Sequence, residues 1–277
     1  MNVLVFSQLS DWKLFYRLIN LANSDKIEKI LISRLTKTNK KSSYSNFDSG
    51  NFKNKTKVIN PVNIWSKFFL FNHLFRLIKI LLYIKKNKIE IKKIISVHLY
   101  PHGYLAWFCG KILNVNVCHI LIAGSREVNL FGGIVGMFSK YILESSKEII
   151  CYSNISGSEL LKKNLSVDSI NVIPNCIDNE LFPNLDVKKD FDLVVVTRFF
   201  EIKRLDKLID VIHQAKENGK KLKCCIIGSG PLFNRILKYS KYKEVFEQIK
   251  FIRKLDDRLI PLMMNRGKLF VLTSDSE

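Results

Sequence analysis

The stretch that decides the fold is residues 191–203, which reads FDLVVVTRFFEIK. It begins with a short apolar run rich in valine, which is typical of a strand buried on both faces of a parallel sheet. The amphipathic run Leu205–Asn218 comes next and predicts a helix. Arg198 and Lys203 lie between the strand and the helix. A strand followed directly by a helix predicts an α/β protein.

The same alternation extends from this stretch toward both ends of the chain. Short apolar runs predict strands at Val3–Phe6, Ile27–Ile32, Ile94–His98, Cys118–Ile122, Glu148–Tyr152, Asn171–Ile173, Leu222–Ile227, Ile249–Ile252 and Leu269–Leu272. Longer runs predict helices at Val62–Lys88, Tyr104–Leu113 and Ile260–Asn265. A turn-rich segment at residues 174–178 predicts a domain boundary. We therefore expect two domains, residues 1–174 and 175–277, with parallel sheets that face a ligand-binding cleft.

Composition narrows the class of protein. The chain is 47% hydrophobic and 25% charged, which is typical of a globular protein and too apolar for a disordered one. No apolar run reaches the roughly 18 residues of a spanning helix, and the first residues are expected to form a strand instead of a signal peptide. The six cysteines form no CxxC pair, which favours a reducing compartment and no zinc site.

The positive charge is concentrated in the first domain. The formal net charge is +20, of which residues 1–172 carry +15 and residues 173–277 carry +5. A basic surface favours an anionic membrane, an acidic substrate or nucleic acid as partner, but the chain has no nucleic-acid recognition motif. A general richness in lysine would explain the charge equally well. The aromatic, lysine-rich run Val62–Lys88 either lies on an anionic membrane or covers the sheet with its apolar side.

Three segments of the second domain are suited to bind an anionic ligand. Arg198 and Lys203 follow a strand and precede a helix, where fixed charge and the helix dipole attract phosphate. Gly228-Ser229-Gly230-Pro231 follows another strand, although a lone GxG is weak and is equally typical of a plain turn. The run from Thr273 to Glu277 supplies hydroxyls and carboxylates that could accept hydrogen bonds from a sugar. Each segment alone is also compatible with a solvated loop or terminus.

In their order and spacing, four segments resemble glycosyltransferase family 4: residues 172–182, 196–203, 226–231 and 270–277. The resemblance covers nearly the whole chain and is most specific in the second half. It implies the GT-B fold, with two Rossmann-like domains, a usually retaining reaction, a nucleotide-sugar donor linked to UDP or GDP, and no metal or other cofactor. The first domain would bind the acceptor and the second the donor. The second domain would be incomplete, because the family's donor site continues past Glu277.

The resemblance also implies roles for individual residues of the donor side. Arg198 and Lys203 match the pair that binds the donor diphosphate and stabilises the leaving group. Gly228 and Gly230 would form the nucleotide loop. Ser274 and Glu277 would contact the donor sugar, with Glu277 as the first acid of the family's E-x7-E motif.

The acceptor side resembles the family less closely. His98, His102 and Gly124 are the acceptor-side candidates, since they lie in the loops after two predicted strands. Ala123 and Arg126 occupy positions where many members have a histidine and an acid.

Two hypotheses of different classes follow. The first is a hexosyltransferase of surface polysaccharide synthesis, such as lipopolysaccharide or capsule, acting in the cytoplasm at the inner face of the membrane on a glycan or lipid-linked acceptor. The second is a truncated, inactive remnant that binds a partner or a membrane, with an unpaired sheet edge at Leu269–Leu272. The sequence does not reveal the sugar, the nucleotide or the acceptor.

Overall fold

A computed structural model describes residues 1–7, 18, 21–34, 54–59, 69–122, 127, 132–162, 165, 170–174 and 182–275. The chain divides into two compact units, Met1–Cys176 and Ile177–Glu277. Each unit contains one parallel sheet with helices packed on it. The predicted α/β class with two parallel sheets is therefore confirmed.

The first unit is built on a seven-stranded sheet of order β3-β2-β1-β4-β5-β6-β7. Its strands are β1 (Asn2–Phe6), β2 (Lys29–Ser33), β3 (Thr56–Ile59), β4 (Ile91–Val97), β5 (Val117–Leu121), β6 (Glu148–Cys151) and β7 (Ile170–Val172). All neighbouring pairs are parallel. Val3, Leu4, Val5 and Phe6 are all buried, as expected for a central strand covered on both faces.

Four described helices belong to the first unit: α1 (Phe69–Lys86), α2 (Tyr104–Leu113), α3 (Gly133–Glu144) and α4 (Asn154–Leu161). The predicted bounds of α2 are confirmed. One stripe of α1, including Leu77 and Ile80, packs in the same core as Leu4 and Phe6. The segment Leu99–Gly103 joins β4 to α2, and its backbone is extended at Tyr100, with a φ of −109° and a ψ of 132°.

The second unit has a four-stranded sheet of order β10-β9-β8-β11, and all neighbours are parallel. Its strands are β8 (Phe191–Val196), β9 (Cys224–Ile227), β10 (Ile249–Ile252) and β11 (Gly267–Phe270). Its helices are α5 (Leu205–Glu217), α6 (Phe233–Tyr242) and α7 (Ile260–Asn265). Of these, α5 and α6 share one core with β8 and β9, while Met263 of α7 packs in a separate cluster with Val194.

Several predicted strands begin or end at other residues in the structure, and in β11 both ends are displaced in the same direction. The apolar run predicted β11 at Leu269–Leu272, but the strand begins at Gly267 and ends at Phe270. The start is set by β8, because Gly267 pairs with Phe191, its first residue.

The strand order brings three loops together in the second unit. From β8 the chain adds β9 and β10 on one side of the sheet and then returns to place β11 on the other side of β8. The connections therefore run in opposite directions from the boundary between β8 and β11. In open α/β sheets, ligands bind at the carboxyl ends of the strands around such a switch point. The loops after β9, β8 and β11 are therefore neighbours at one edge.

Candidate functional site

The predicted donor residues of the second unit lie in these three neighbouring loops. Arg198 follows β8, Gly228 and Gly230 follow β9, and Ser274 follows β11. Lys203 ends a single 3-10 turn, Glu201–Lys203, directly before α5. The fold thus brings to one edge residues that are up to 76 positions apart in sequence.

Arg198 is an exposed cation at this edge. Its guanidinium carbon lies 5.2 Å from the centroid of the Phe200 ring, within the range of a cation–π contact. Among the residues that the structure describes, no carboxylate pairs with Arg198. Its charge is therefore available to an anionic ligand.

The next arginine, Arg204, is fully engaged with carboxylates. Its Nη2 lies 2.9 Å from Oδ2 of Asp206, and its Nη1 lies 3.0 Å from Oδ2 of Asp275. Lys207 Nζ lies 2.8 Å from Oδ1 of the same Asp275. The hydrogen bonds from Lys207 and Arg204 hold the pKa of Asp275 below its usual value. This network was not predicted from the sequence. It pairs Arg204 and Lys207, the two cations that follow Lys203 in the chain, with carboxylates.

The segment after β11 is attached to the loop after β8 by three contacts. Thr273 Oγ1 donates to the carbonyl of Lys203 at 2.9 Å, and the Asp275 N–H donates to the carbonyl of Ile202 at 3.0 Å. The third contact is the Arg204–Asp275 pair. Ser274 lies between two of these attachment points and is half-buried. The structure therefore brings Ser274 close to the Lys203 segment.

The two glycines of the nucleotide loop allow a close approach of two backbones. Gly228 has a φ of 141° and Gly230 a φ of 157°. A Cβ would lie 1.9 Å from the Thr197 carbonyl oxygen at Gly228, and 2.6 Å from the Phe199 carbonyl oxygen at Gly230. The Phe199 N–H donates to the Ser229 carbonyl at 2.9 Å. The glycines thus let the loop after β9 pack against the backbone on both sides of Arg198.

A cavity of about 790 Å³ lies beside this edge, between the loop after β8, helix α6 and Asp275. Its walls include Phe200, Arg204, Tyr239 and Tyr242. None of the predicted donor residues lines it. The volume of this cavity is therefore no evidence that it is the predicted phosphate-binding site.

Two predicted site residues cannot be placed. Glu277, the predicted sugar contact, and Gly124, the acceptor-side glycine, lie outside the described residues. The same holds for Ala123 and Arg126, where the sequence departs from the family pattern. Among the described ranges, no group of three or more His, Cys, Asp or Glu side chains is arranged to hold a metal ion.

In the first unit, His102 belongs to a buried polar cluster around Arg76. Arg76 is fully buried, and its Nη1 lies 2.9 Å from Nδ1 of His102. Burial lowers the pKa of Arg76 to about 9, and burial followed by the nearby Arg76 lowers the pKa of His102 to about 2. The His102 ring is therefore neutral and accepts the hydrogen bond. This position favours a structural role for His102 over contact with an acceptor.

Arg76 ties helix α1 to the carboxyl ends of two strands. Its Nε donates to Ser33 Oγ at 2.9 Å, and its Nη2 donates to the carbonyls of Ser33 and Ser7. The guanidinium also lies over the Phe6 ring at 5.4 Å. The sequence signal for this cluster is Arg76 itself, an arginine on the apolar stripe of α1 that faces the sheet.

His98 lies at the end of β4 and is held by Glu127. Its Nδ1 lies 3.1 Å from Oε1 of Glu127, and Oε2 of the same carboxylate accepts the Leu99 N–H at 2.6 Å. The Glu127 side chain is 7% exposed, whereas that of His98 is 36% exposed. Glu127 was not predicted as a site residue. Its position directly after Arg126, where the family pattern has an acid, was the available signal.

Comparisons with known proteins agree with this architecture. Residues 177–277 match the family model described as "Glycosyl transferases group 1". No curated protein sequence matches the chain. Three solved structures illustrate the similarity of fold over nearly the whole chain.

The first structure is the lipopolysaccharide outer core galactosyltransferase WaaB, with a TM-score of 0.63 at 12% identity, covering 100% of this chain and 75% of that one. The second is Anabaena Alr3699/HepE in complex with UDP and glucose, with a TM-score of 0.73 at 14% identity and the same coverages. The third is a UDP-GlcNAc 2-epimerase from Methanocaldococcus jannaschii, with a TM-score of 0.58 at 16% identity, covering 97% and 77%. Because the third catalyses a different reaction, the likeness establishes the fold alone. The chain therefore has the Rossmann-like α/β fold of GT-B proteins, and its second unit matches glycosyl transferases group 1.

Proposed function

We propose that the chain is a glycosyltransferase that moves a hexose from a nucleotide sugar to a glycan or lipid-linked acceptor. The observation that carries the proposal is the exposed cation Arg198, which has no carboxylate partner among the described residues and lies next to Lys203 and against the glycine loop at the carboxyl edge of the sheet. This edge lies in the unit that matches glycosyl transferases group 1. A nucleoside diphosphate is the anionic ligand that such a unit would bind.

The chemistry assigned to this edge is stabilisation of the leaving group. When the bond between the sugar and the diphosphate breaks, negative charge grows on the diphosphate oxygen. Arg198 and Lys203 neutralise that charge, so that donor binding needs no metal ion. Ser274 and Glu277 contact the sugar, and Gly228 and Gly230 line the nucleotide. The family resemblance implies retention of configuration, and the UDP complex of Alr3699/HepE supports UDP as the nucleotide.

Calorimetric titration with UDP and GDP tests the donor site. Arg198→Ala should weaken nucleoside diphosphate binding by about tenfold or more, since a charge-assisted hydrogen bond is worth roughly 1.5–3 kcal/mol. Arg258→Ala is the matched control, because Arg258 is an exposed arginine of the same unit and pairs with the neighbouring Asp256. Wild-type affinity in Arg198→Ala, or a loss of binding in EDTA, would contradict the assignment.

Surface polysaccharide synthesis, in lipopolysaccharide or capsule, is the process we assign to this transfer. WaaB, which shares the fold, is named a lipopolysaccharide outer core galactosyltransferase. Such acceptors are bound to lipid, which would place the enzyme in the cytoplasm at the inner face of the membrane. Among the described residues, no helix is long and apolar enough to cross a bilayer. We assign the membrane contact to a surface of the first unit.

One face of the first unit has the chemistry of such a surface. Helix α2 contacts both α1 and α3. The large apolar side chains exposed on these three helices are Phe71, Leu74, Phe75, Ile78, Leu82, Phe108, Ile112, Ile134, Val135, Met137 and Tyr141. We call this set the apolar face. Helices α1 and α2 contain no acidic residue and expose Lys79, Lys85, Lys86 and Lys111. An anionic bilayer complements both features, whereas a second copy of this face would oppose lysine to lysine.

Co-sedimentation with vesicles tests the apolar face. The double variant Leu82→Glu/Met137→Glu should bind vesicles containing phosphatidylglycerol at least about tenfold more weakly than wild type, because each change removes an exposed apolar group that would enter the bilayer and adds a negative charge that the anionic lipid repels. Val211→Glu, an exposed apolar position on α5, serves as the control. Equal binding to neutral and anionic vesicles, or no effect of the double variant, would contradict the proposal.

The second hypothesis, an inactive partner-binding chain, is favoured by one observation. In the described part of the second sheet, β11 pairs on one side only, with β8, and Leu269 and Leu272 are 59% and 53% exposed. An open apolar edge is a site for association with another strand. Light scattering across a concentration series, combined with a transfer assay, separates the two hypotheses. A chain that is monomeric and transfers sugar would exclude the second hypothesis.

A further inference from the structure

The strand-to-helix corner after β4 has an unusual backbone and an unusual side-chain pair. His98 has a φ of 71° and a ψ of 144°, a region that non-glycine residues rarely occupy and that costs about 1–3 kcal/mol. Its N–H still donates to the Ile120 carbonyl of the neighbouring strand at 3.0 Å. The backbone therefore turns at this residue and directs the ring away from the ladder. Backbone strain of this kind is found mainly at functional sites, where the direction of a side chain has to be fixed.

A buried carboxylate holds the corner in this conformation. The two oxygens of Glu127 are divided between the His98 ring and the Leu99 N–H, at 3.1 and 2.6 Å. Glu127 is nearly buried, so its charge is screened little by solvent. A carboxylate can only accept, which means that Nδ1 of His98 must carry the proton. The tautomer of the ring is thereby fixed.

The opposite nitrogen of the ring is then an open acceptor. With the proton on Nδ1, the lone pair lies on Nε2. Within the described ranges no partner contacts Nε2, and 36% of the side chain is exposed. The other loop histidine, His102, is engaged with Arg76 and is buried. Of the two loop histidines, His98 is therefore the one that presents a ring nitrogen to solvent at this corner.

We infer that Glu127 is a positioning residue for His98, and that Nε2 of His98 accepts a hydrogen bond from the hydroxyl of the sugar acceptor. The second part of this inference rests on the proposed glycosyltransferase function; the first part does not. The hydroxyl of a sugar acceptor suits a ring nitrogen that accepts a hydrogen bond at the carboxyl edge of the first sheet.

The tautomer of His98 is the most direct readout. Long-range ¹⁵N–¹H NMR of the neutral ring, in mildly alkaline buffer, distinguishes a proton on Nδ1 from one on Nε2, and the resonances of His98 are those missing in His98→Gln. Wild type should carry the proton on Nδ1. In Glu127→Gln the amide oxygen can still accept the Leu99 N–H while the amide nitrogen donates to Nδ1, which should move the proton to Nε2. A wild-type proton on Nε2, or no change in Glu127→Gln, would overturn the inference.

Transfer kinetics test the contact with the acceptor. With UDP-glucose or UDP-galactose as donor and octyl glycosides as acceptors, Glu127→Gln and His98→Gln should each lower kcat/KM for the acceptor by about tenfold or more. Their effects should not add in the double variant, because they remove the same interaction. The KM of the donor should stay unchanged, as should all constants of the exposed control Glu90→Gln.

The outcomes separate the inference from the proposed function. Equal acceptor kcat/KM in wild type and Glu127→Gln would overturn the role in acceptor binding. Absence of transfer by the wild type would contradict the proposed function and the acceptor contact together, while the NMR result would still decide whether Glu127 positions His98.

Discussion

At the scale of single residues, the donor edge depends on how neighbouring cations are partnered. Arg198 rests on an aromatic ring, whereas Arg204 and Lys207 are neutralised by Asp206 and Asp275. The sequence predicts cations in this loop, but only the structure tells which of them are consumed by internal pairs. An arginine over an aromatic ring keeps its charge and its planar donor edge available.

The glycine loop gives a residue-scale prediction. Gly230→Ala should destabilise the second unit by about 2 kcal/mol or more, because its φ is unfavourable for alanine and the new Cβ would lie 2.6 Å from the Phe199 carbonyl oxygen. Displacement of Phe199 should also weaken UDP binding through Arg198. Urea unfolding and calorimetry measure both effects. Gly132→Ala is the control, since nothing lies within 4 Å of its Cβ position; equal behaviour of the two variants would be inconsistent with the proposed packing.

At the scale of elements, the sequence predicts the regular parts of the fold well. Strands β8 and β10 and helices α2 and α7 have the predicted bounds, because short apolar runs with clear flanking turns leave one solution. Helices α3 and α4 were not predicted. Helix α3 begins at Gly133 and exposes Ile134 and Met137, so its apolar residues do not form the single stripe that marks a helix.

The site was predictable only where the signal is local in sequence. The positions of Arg198, Lys203 and the glycines follow from strand-to-helix junctions. Glu127 meets His98 across 29 positions, and Asp275 meets Arg204 across 71, so both pairs depend on strand order. Such long-range pairs cannot be read from one sequence, since periodicity describes faces of elements and not which elements become neighbours.

Buried histidines give the first unit a predicted dependence on pH. Burial is the largest cause that lowers the pKa of His73 and His119 to about 4, and of His102 to about 2, from an ordinary value of 6.5. Below pH 6.5 the unfolded chain binds protons that the folded unit does not, so the free energy of unfolding falls as pH falls from 6.5 toward 4. Each group contributes about 1.4 kcal/mol per pH unit in this window, and its stabilisation is complete above 6.5.

Tryptophan fluorescence during urea unfolding measures this effect, because all three tryptophans lie in the first unit. His119→Gln should reduce the slope of the free energy of unfolding against pH by the contribution of one histidine. A free energy of unfolding that is constant between pH 6.5 and 4.5 would contradict the buried neutral state of these rings.

At the scale of the whole molecule, the two units differ in charge and in exposed chemistry. The first unit holds most of the net positive charge and the apolar face, and the second holds the unpaired Arg198 beside Lys203. We interpret this division as one between membrane and acceptor contact on one unit and donor binding on the other. Binding to anionic vesicles should accordingly weaken as salt is raised, because the lysines of the apolar face are exposed to solvent.

The central claim is that this chain transfers sugar from a nucleotide donor through Arg198. The most direct measurement is the transfer of labelled hexose from UDP-glucose, UDP-galactose or GDP-mannose to lipid and glycan acceptors of a membrane extract, for wild type, Arg198→Ala and Arg258→Ala. We predict transfer by wild type and Arg258→Ala, and a loss of about a hundredfold or more in Arg198→Ala, the order expected for removing a group that stabilises the leaving charge. Equal transfer by Arg198→Ala and wild type, or no transfer from any of the three donors by wild type, would contradict it.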